Sequence, residues 1–154
     1  MDIDSIMTKL NPLVVRLLQS RLHGLLSRGL MLVHVVGVKS GKPYTIPVGY
    51  QYQKLAGGAE QCVVLVSKSR RKNWWRNYKT EVPVDITLGG ELRSGLGALL
   101  DKQSQFFEDA INQTFQRMPV LAKQFGISYS AKRGLTAEDL AIVSLDAEVL
   151  VIKL

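Results

Sequence analysis

Cysteine is nearly absent from this sequence, and histidine is scarce. The single cysteine, Cys62, excludes an intramolecular disulfide. Only two histidines accompany it, so we expect no metal site, because zinc sites in proteins usually draw several ligands from these residue types. The low cysteine content agrees with a reducing, cytoplasmic compartment.

A long apolar run is also lacking. The chain begins Met-Asp-Ile-Asp, whereas a secretory signal starts with basic residues and continues with an unbroken apolar stretch. Charged residues interrupt the most apolar segment, residues 13–26, so no stretch reaches the roughly 20 apolar residues that span a bilayer. We therefore expect neither a secretory signal nor a transmembrane helix.

Acidic residues are outnumbered by basic ones. There are 13 Asp and Glu against 20 Lys and Arg, which gives a net charge of +7. This surplus suits an anionic partner, such as nucleic acid, a phosphorylated cofactor or an acidic membrane surface, although solubility alone would explain it. The length of 154 residues and the hydrophobic content of 46% predict a single domain, 1–154, with a helical segment at 1–29 and a β-rich body at 30–154.

The pattern of apolar residues predicts an N-terminal helix followed by a small barrel. Leucine and valine recur at helical spacing after Pro12, and such an amphipathic helix packs on the body or associates weakly with a membrane surface. Strands are predicted at 30–38, 44–53, 62–67, 81–88, 91–100 and 147–154. Before the last strand, 104–126 is predicted to be a helix that Pro119 interrupts, and 135–144 a short helix capped by Thr136. A late strand that pairs with an early one would close an antiparallel α+β barrel.

Two basic stretches have the residue types that bind anions. The turn at 39–43 follows the first strand, and residues 67–80 follow the third. Cations, hydroxyls and unpaired backbone N–H groups bind phosphate or carboxylate oxygens, and Asn73 is a candidate cap for a short helix carrying both tryptophans. The first and third strands of a meander run parallel, so both stretches are expected at the same end of the sheet.

Three interpretations of residues 67–80 remain open. A solvated loop explains the two adjacent tryptophans poorly. A nucleic-acid surface and a pocket for a planar, anionic cofactor explain them equally well. No spacing of carboxylates, no Ser-His-Asp arrangement and no G-x-G-x-x-G pattern identifies a catalytic residue, and His34, inside a strand, is more typical of a satisfied core histidine.

The order and spacing of motifs over residues 30–90 resemble the deazaflavin-dependent nitroreductases of the split β-barrel, flavin-binding superfamily. The matching residues are Gly37, Lys39, Ser40, Gly41, Pro47, Ser67, Lys68, Ser69, Trp75, Asn77, Val82, Pro83 and Val84. The resemblance implies a split barrel that holds a reduced deazaflavin coenzyme of the F-420 type and passes a hydride to a nitro compound, quinone or enone. It also allows a homodimer.

The resemblance also implies roles for individual residues. The anionic tail of the coenzyme would meet Lys39, Ser40 and Gly41 of the first turn and Ser67, Lys68 and Ser69 of the second basic stretch. Trp75 and Asn77 would be structural or line the ring pocket, and Lys42, Pro47 and Arg70 are further cofactor-binding candidates. Tyr44 and Tyr129 are candidate substrate contacts. Val38 and Tyr44 stand where the family has arginine, which leaves FMN, or a non-enzymatic module for FMN or another anion including nucleic acid, as alternatives.

Overall fold

The computed structural model of the chain describes residues 12–16, 19, 29–37 and 39–154. Residues 12–16 and 19 are helical. Val14 is buried against Leu32 of the first strand, so the described part of the predicted N-terminal helix packs on the sheet. The remainder of that predicted helix lies outside the described residues.

Seven strands form one antiparallel sheet in the part of the chain that the structure describes. They are β1 Leu30–Val36, β2 Pro43–Gly49, β3 Gln51–Lys54, β4 Glu60–Ser67, β5 Val82–Leu88, β6 Glu91–Leu99 and β7 Ala147–Lys153. Their order across the sheet is β2-β1-β5-β6-β7-β4-β3. All predicted strands are present, but the one predicted at 44–53 is broken at Tyr50 into β2 and β3.

The break at Tyr50 closes the sheet into a split barrel. β2 pairs with β1, and β3 pairs with β4, so the two edge strands are successive halves of one bent strand. β7 lies between β6 and β4, which confirms the predicted return of the last strand. Among the described strands β2 and β4 are not paired with each other, and the gap between them is the split of the barrel.

Side chains that alternate along the strands divide the core in two. One set fills the barrel and includes Met31 and Val33 of β1 with Val64 of β4. The other set lies outside the barrel, where Val63 of β4 packs under a long helix that contributes Phe107. Neighbouring residues of β4 therefore serve opposite faces, as a strand requires.

Helices connect β6 to β7. The long helix, Gln105–Arg117, begins at Ser104, whose Oγ accepts a hydrogen bond from the Phe107 N–H at 3.2 Å. It stops before Pro119, as predicted, and a single turn, Val120–Lys123, follows. The helix Ala137–Ser144 begins with the predicted Thr136 cap. None of the described helices has the length and apolar character needed to span a bilayer.

Candidate functional site

The hairpin turn, residues 37–42, connects β1 to β2 and is held by its own backbone. Gly37 N–H donates to Lys42 O at 3.0 Å, and Gly41 N–H donates to Gly37 O at 2.8 Å. Lys42 N–H also donates to Ser40 Oγ at 3.3 Å. Gly41 has φ +64°, a conformation that glycine adopts without strain. Lys39 and Lys42 are both exposed, so the turn carries two exposed cations on a backbone that its own hydrogen bonds hold in shape.

The basic loop, residues 67–72, follows β4 and is anchored by a distant part of the chain. Ser69 N–H donates to Asp146 O at 3.1 Å, and Arg70 N–H donates to Asp146 Oδ1 at 3.1 Å. The Arg70 Nε lies 3.2 Å from the same carboxylate oxygen. Trp75 Nε1 donates to Ser69 O at 2.8 Å. Asp146, just before β7, thus places an acid beside a stretch of sequence that contains none.

The backbone N–H groups of the basic loop are used within the protein. Arg71 N–H donates to Lys68 O at 3.0 Å, and Lys72 N–H donates to Ser69 O at 3.1 Å. The N–H groups of Ser69 and Arg70 donate to Asp146, so all four backbone N–H groups from residue 69 to residue 72 have acceptors within the protein. The expectation that unpaired N–H groups here form a cradle for an anion is therefore wrong, and side chains must supply the contacts.

A short 3₁₀ helix, Trp74–Tyr78, carries both tryptophans. The predicted cap at Asn73 is wrong, because its side chain makes no capping hydrogen bond. Its backbone, at φ −118° and ψ −23°, is not in the extended conformation from which a capping side chain reaches back to the helix. Trp74 is buried beside Tyr78, with ring centroids 6.2 Å apart.

The second tryptophan, Trp75, is half-buried and covered by cations. The Arg76 guanidinium carbon lies 5.5 Å from its ring centroid, and Lys79 Nζ lies 6.0 Å from it. With its Nε1–H bonded to Ser69, this residue supports the basic loop.

The two basic stretches lie at the same end of the sheet, as predicted. Asn77 Nδ2 donates to Val36 O, at the end of β1, at 3.1 Å. Burial, and secondarily the nearby Tyr44 hydroxyl, raises the pKa of Tyr78 to about 12. These contacts join the 3₁₀ helix that follows the basic loop to the two strands that carry the hairpin turn.

The split between β2 and β4 opens into a cavity of about 610 Å³, which we call the split cavity. Residues 46–51 line one side and residues 63–67 the other. Lys72, at the end of the basic loop, and Trp74, just beyond it, also line the cavity. Ligand sites in proteins commonly measure about 300–1,000 Å³ and are mostly apolar with a few polar groups, so the split cavity has the size and lining of a ligand site.

The C-terminal end of the long helix lines a further side of the split cavity. Gln51 Nε2 donates to Thr114 Oγ1 at 2.9 Å, which ties β3 to the helix. Arg117 also lines the cavity, and burial raises the pKa of the lining Tyr50 while Arg117 partly lowers it. Gln124 lines the cavity as well, and its Oε1 is buried with no hydrogen-bond partner among the described residues.

The structure distributes the residues proposed from the sequence between the split cavity and the end of the sheet beside it. Pro47 and Ser67 line the cavity. Others shape the surroundings, since Ser69 is buried, Arg70 is paired with Asp146, and Asn77 is bonded to β1. Lys39, Ser40, Gly41 and Lys42 are exposed on the hairpin turn, and Lys68 is half-buried in the basic loop.

The two candidate substrate tyrosines lie apart from each other. Tyr44 is 41% exposed on β2, and partial burial raises its pKa. Tyr129 packs edge-on against Phe115 at 5.6 Å, and its hydroxyl donates to Asn112 Oδ1 at 2.7 Å. Neither residue is among those that line the split cavity. The tyrosine that lines it is Tyr50, at the bend between β2 and β3.

Several cavity residues were missed in the sequence. Trp74 and Lys72 belong to the basic stretch, but only the fold shows that they, rather than Trp75 and Arg70, face the cavity. Arg117 and Gln124 carry no local signal, because the path of the long helix places them there. The break in the pattern at Gly49-Tyr50, within an otherwise alternating strand, is the one clue to a bend.

His34 lies outside the split cavity and has partners at both ring nitrogens. Nδ1 is 3.1 Å from Thr45 Oγ1, and Nε2 is 2.8 Å from Thr87 Oγ1, so the interpretation as a satisfied histidine is confirmed. It borders a smaller cleft of about 330 Å³ on the outer face of β1 and β5. No cluster of potential metal ligands occurs among the described residues.

Neither a protein-family model nor a curated protein matches this chain. Several solved structures are similar to it, two of them as follows. One is an F420-H2-dependent reductase (FDR-A), with 16% identity, a TM-score of 0.49, and coverage of 81% of this chain and 94% of the other. The second is described as a domain-swapped dimer, with 18% identity, a TM-score of 0.53, and coverage of 95% and 98%. The second similarity extends over nearly the whole chain. The strand order, with β2 and β3 paired to opposite ends of the sheet, gives the expected α+β split-barrel fold.

Proposed function

We propose that this chain is an oxidoreductase that uses a reduced deazaflavin coenzyme of the F420 type to transfer a hydride to a small electrophile. Nitro compounds, quinones and enones are the proposed acceptors. The observation that carries the proposal is the split cavity, an apolar space of about 610 Å³ with a basic end, placed beside the motifs that resemble the deazaflavin-dependent nitroreductases.

The residues of the split cavity fit such a coenzyme. Pro47 and Trp74 offer flat apolar surfaces to a planar ring. Ser67 and Lys72 line the basic end of the cavity, where a phosphate would meet a hydroxyl and a cation. Beyond that end, Lys68 and Arg71 of the basic loop and the lysines of the hairpin turn suit an anionic tail that extends toward solvent.

The coenzyme would supply the hydride, and the protein would orient the two reactants and exclude water. The acceptor gains a hydride from the coenzyme and a proton from water, so no side chain has to act as a base. Contacts of Tyr44 and Tyr129 with the substrate stay predictions. The geometry favours Tyr50 for that position, because it lines the cavity at the bend.

FMN binding without turnover, or binding of another anion, is the alternative function. The basic surface next to the cavity would suit either ligand. A nucleic-acid interface is less well supported, because stacking on a base uses a freely presented ring. Trp75 is instead bonded through its Nε1–H to Ser69 O and lies beside Arg76 and Lys79.

The proposal is tested by turnover and by binding. Oxidation of the reduced deazaflavin coenzyme should be followed by its absorbance, with a nitroarene, a quinone and an enone as acceptors. In parallel, the protein is titrated with the oxidised coenzyme, with FMN and with a single-stranded oligonucleotide at low and moderate salt. We expect turnover with at least one acceptor and tighter binding of the deazaflavin than of FMN. Strongly salt-dependent oligonucleotide binding without flavin binding would contradict the proposal.

Assembly and location are further parts of the proposal. A homodimer could complete the split cavity, and light scattering after gel filtration would reveal a mass near twice that of the chain. A cytoplasmic location stays a prediction from the sequence.

A further inference from the structure

The charged side chains that the structure describes around the split cavity have one sign. Lys72 and Arg117 are the charged side chains among the described residues that line it, and no Asp or Glu of the described chain is with them. A cavity whose described lining combines apolar walls with cations and no acid favours ligands that carry negative charge. The positions of Lys72 and Arg117 indicate whether they bind one anionic group or two.

The two cations lie at different ends of the split cavity. Lys72 follows the end of β4, where Ser67 lines the cavity. Arg117 is one turn beyond Thr114, which bonds Gln51, and Gln51 pairs with Val63 near the middle of β4. Four residues of strand, about 13 Å, separate the levels of Val63 and Ser67. The backbone positions from which the two cations enter the cavity are therefore set at different levels along β4.

Arg117 is available to a ligand. It is exposed at the end of the long helix, and it takes part in none of the ion pairs found among the described residues. Its charge acts on the cavity, since it partly lowers the pKa of Tyr50 that burial raises. A guanidinium group presents parallel N–H donors that match a carboxylate.

We propose that Arg117 is a specificity-determining residue that selects acceptors carrying an anionic group, a carboxylate or sulfonate, on a planar apolar body. This rests on the proposed function, because the coenzyme then occupies the end of the cavity near Lys72 and leaves the end near Arg117 to the acceptor. The apolar body lies against Met118 and Leu121, which line the same end.

The first test needs no coenzyme. Two fluorescent probes with nearly the same rings, anilinonaphthalene sulfonate and the uncharged N-phenylnaphthylamine, are titrated into the protein. We expect wild type to prefer the sulfonate, and Arg117→Gln to reduce that preference by about fivefold, the scale of an exposed ion pair. Arg117→Lys should keep part of the preference. Lys123→Gln, which removes the same charge from an exposed site off the cavity, should keep all of it.

The second test uses the complete enzyme with an enone carboxylic acid and its methyl ester. The coenzyme is oxidised, its hydride adds to the β-carbon, and a proton from water adds to the α-carbon as the C=C π bond is lost. The ratio of kcat/KM for acid to that for ester should exceed one in wild type and fall about fivefold in Arg117→Gln, mainly through KM for the acid.

The outcomes separate the two claims. If Arg117→Gln leaves both the probe preference and the acid-to-ester ratio unchanged while melting at the wild-type temperature, the inference about Arg117 is overturned and the proposed function stands. If no acceptor is reduced but the probe preference depends on Arg117, the proposed function fails and the anionic selectivity of the cavity stands.

Discussion

The hairpin turn and the basic loop have similar compositions but are held in different ways. The turn makes all its described hydrogen bonds within residues 37–42 and leaves its lysines exposed. The basic loop depends on Asp146 and Trp75, which lie outside it. Only the basic loop leads directly into the split cavity, through Ser67 and Lys72.

This difference distinguishes residues that hold the site in shape from residues that contact a ligand. Because the turn is held locally, we expect its replacement to leave the barrel intact, and its exposed lysines act through solvent, where ion pairs contribute little. The basic loop is bonded to Asp146, just before β7, and this anchor fixes the position of the cavity-lining residues Ser67 and Lys72. We therefore expect binding to depend more on the basic loop, and stability to depend on its distant anchors.

The largest expected effect is on coenzyme binding. Lys72→Glu places an acid in the cavity wall and should raise the Kd of the oxidised deazaflavin coenzyme about 100-fold, because a charge-assisted contact is replaced by repulsion. Lys39→Glu makes the same charge change on the exposed turn and should raise the Kd only about threefold. Fluorescence titration measures both. Equal effects would mean that the two basic stretches grip the ligand alike.

The next effect concerns the anchor of the basic loop. Asp146→Ala removes the acceptor of two hydrogen bonds from Arg70, and the free energy of unfolding should fall by about 1 kcal/mol, since the pair is partly exposed. Glu81→Ala removes the partner of Lys153 in another exposed pair and should lose almost nothing. Urea unfolding measures both. A larger loss from Glu81→Ala would contradict the anchoring role of Asp146.

Backbone strain at Gly41 of the hairpin turn should lower the stability of the protein. Gly41→Ala forces a side chain into the left-handed region at φ +64° and should destabilise the protein by about 1 kcal/mol. Gly41→Asn should lose less, because asparagine tolerates this conformation. Both variants should bind the coenzyme almost normally once folded. A strong loss of binding in both would show that the turn's shape matters as much as the basic loop.

The smallest expected effect is on tyrosine ionisation at alkaline pH. It distinguishes Tyr78 from Tyr44, which lies at the same end of the sheet. Tyr44 is exposed in part, whereas burial raises the pKa of Tyr78 from 10.0 to about 12. A raised folded pKa stabilises the protein fully below the unfolded value near pH 10, and this contribution is lost as the pH rises through 12. Tyrosinate absorbance should show a late transition that Tyr78→Phe removes. Persistence of that transition would assign it to another tyrosine.

The fold was largely readable from the sequence because its signals are local. Apolar alternation located the strands, and Pro119 and Thr136 marked helix boundaries that the structure confirms. The bend at Tyr50 was missed, since Gly49 and Tyr50 interrupt an alternating pattern only briefly. Without the bend, the strand order alone gives a sheet with two edges and no split.

The candidate site was only partly readable, for a related reason. Motif resemblance found Pro47 and Ser67, which line the cavity, but favoured Trp75 over Trp74. Neighbouring residues on a short helix face different ways, and sequence does not tell which one faces inward. Arg117 and Asp146 act on the site from more than 40 residues away in sequence, and a single chain gives no pattern that links them to it.

The proposed function depends most on the split cavity as the place where the coenzyme ring binds. Ile46→Trp inserts a large side chain at a lining position, whereas Val36→Trp inserts the same side chain on β1, at the exposed cleft outside the barrel. Titration of both variants with the oxidised deazaflavin coenzyme, at matched thermal stability, is the direct test. We expect Ile46→Trp to weaken binding at least about 100-fold and Val36→Trp to bind as wild type does. Unchanged binding by Ile46→Trp would contradict the placement of the coenzyme ring in the split cavity.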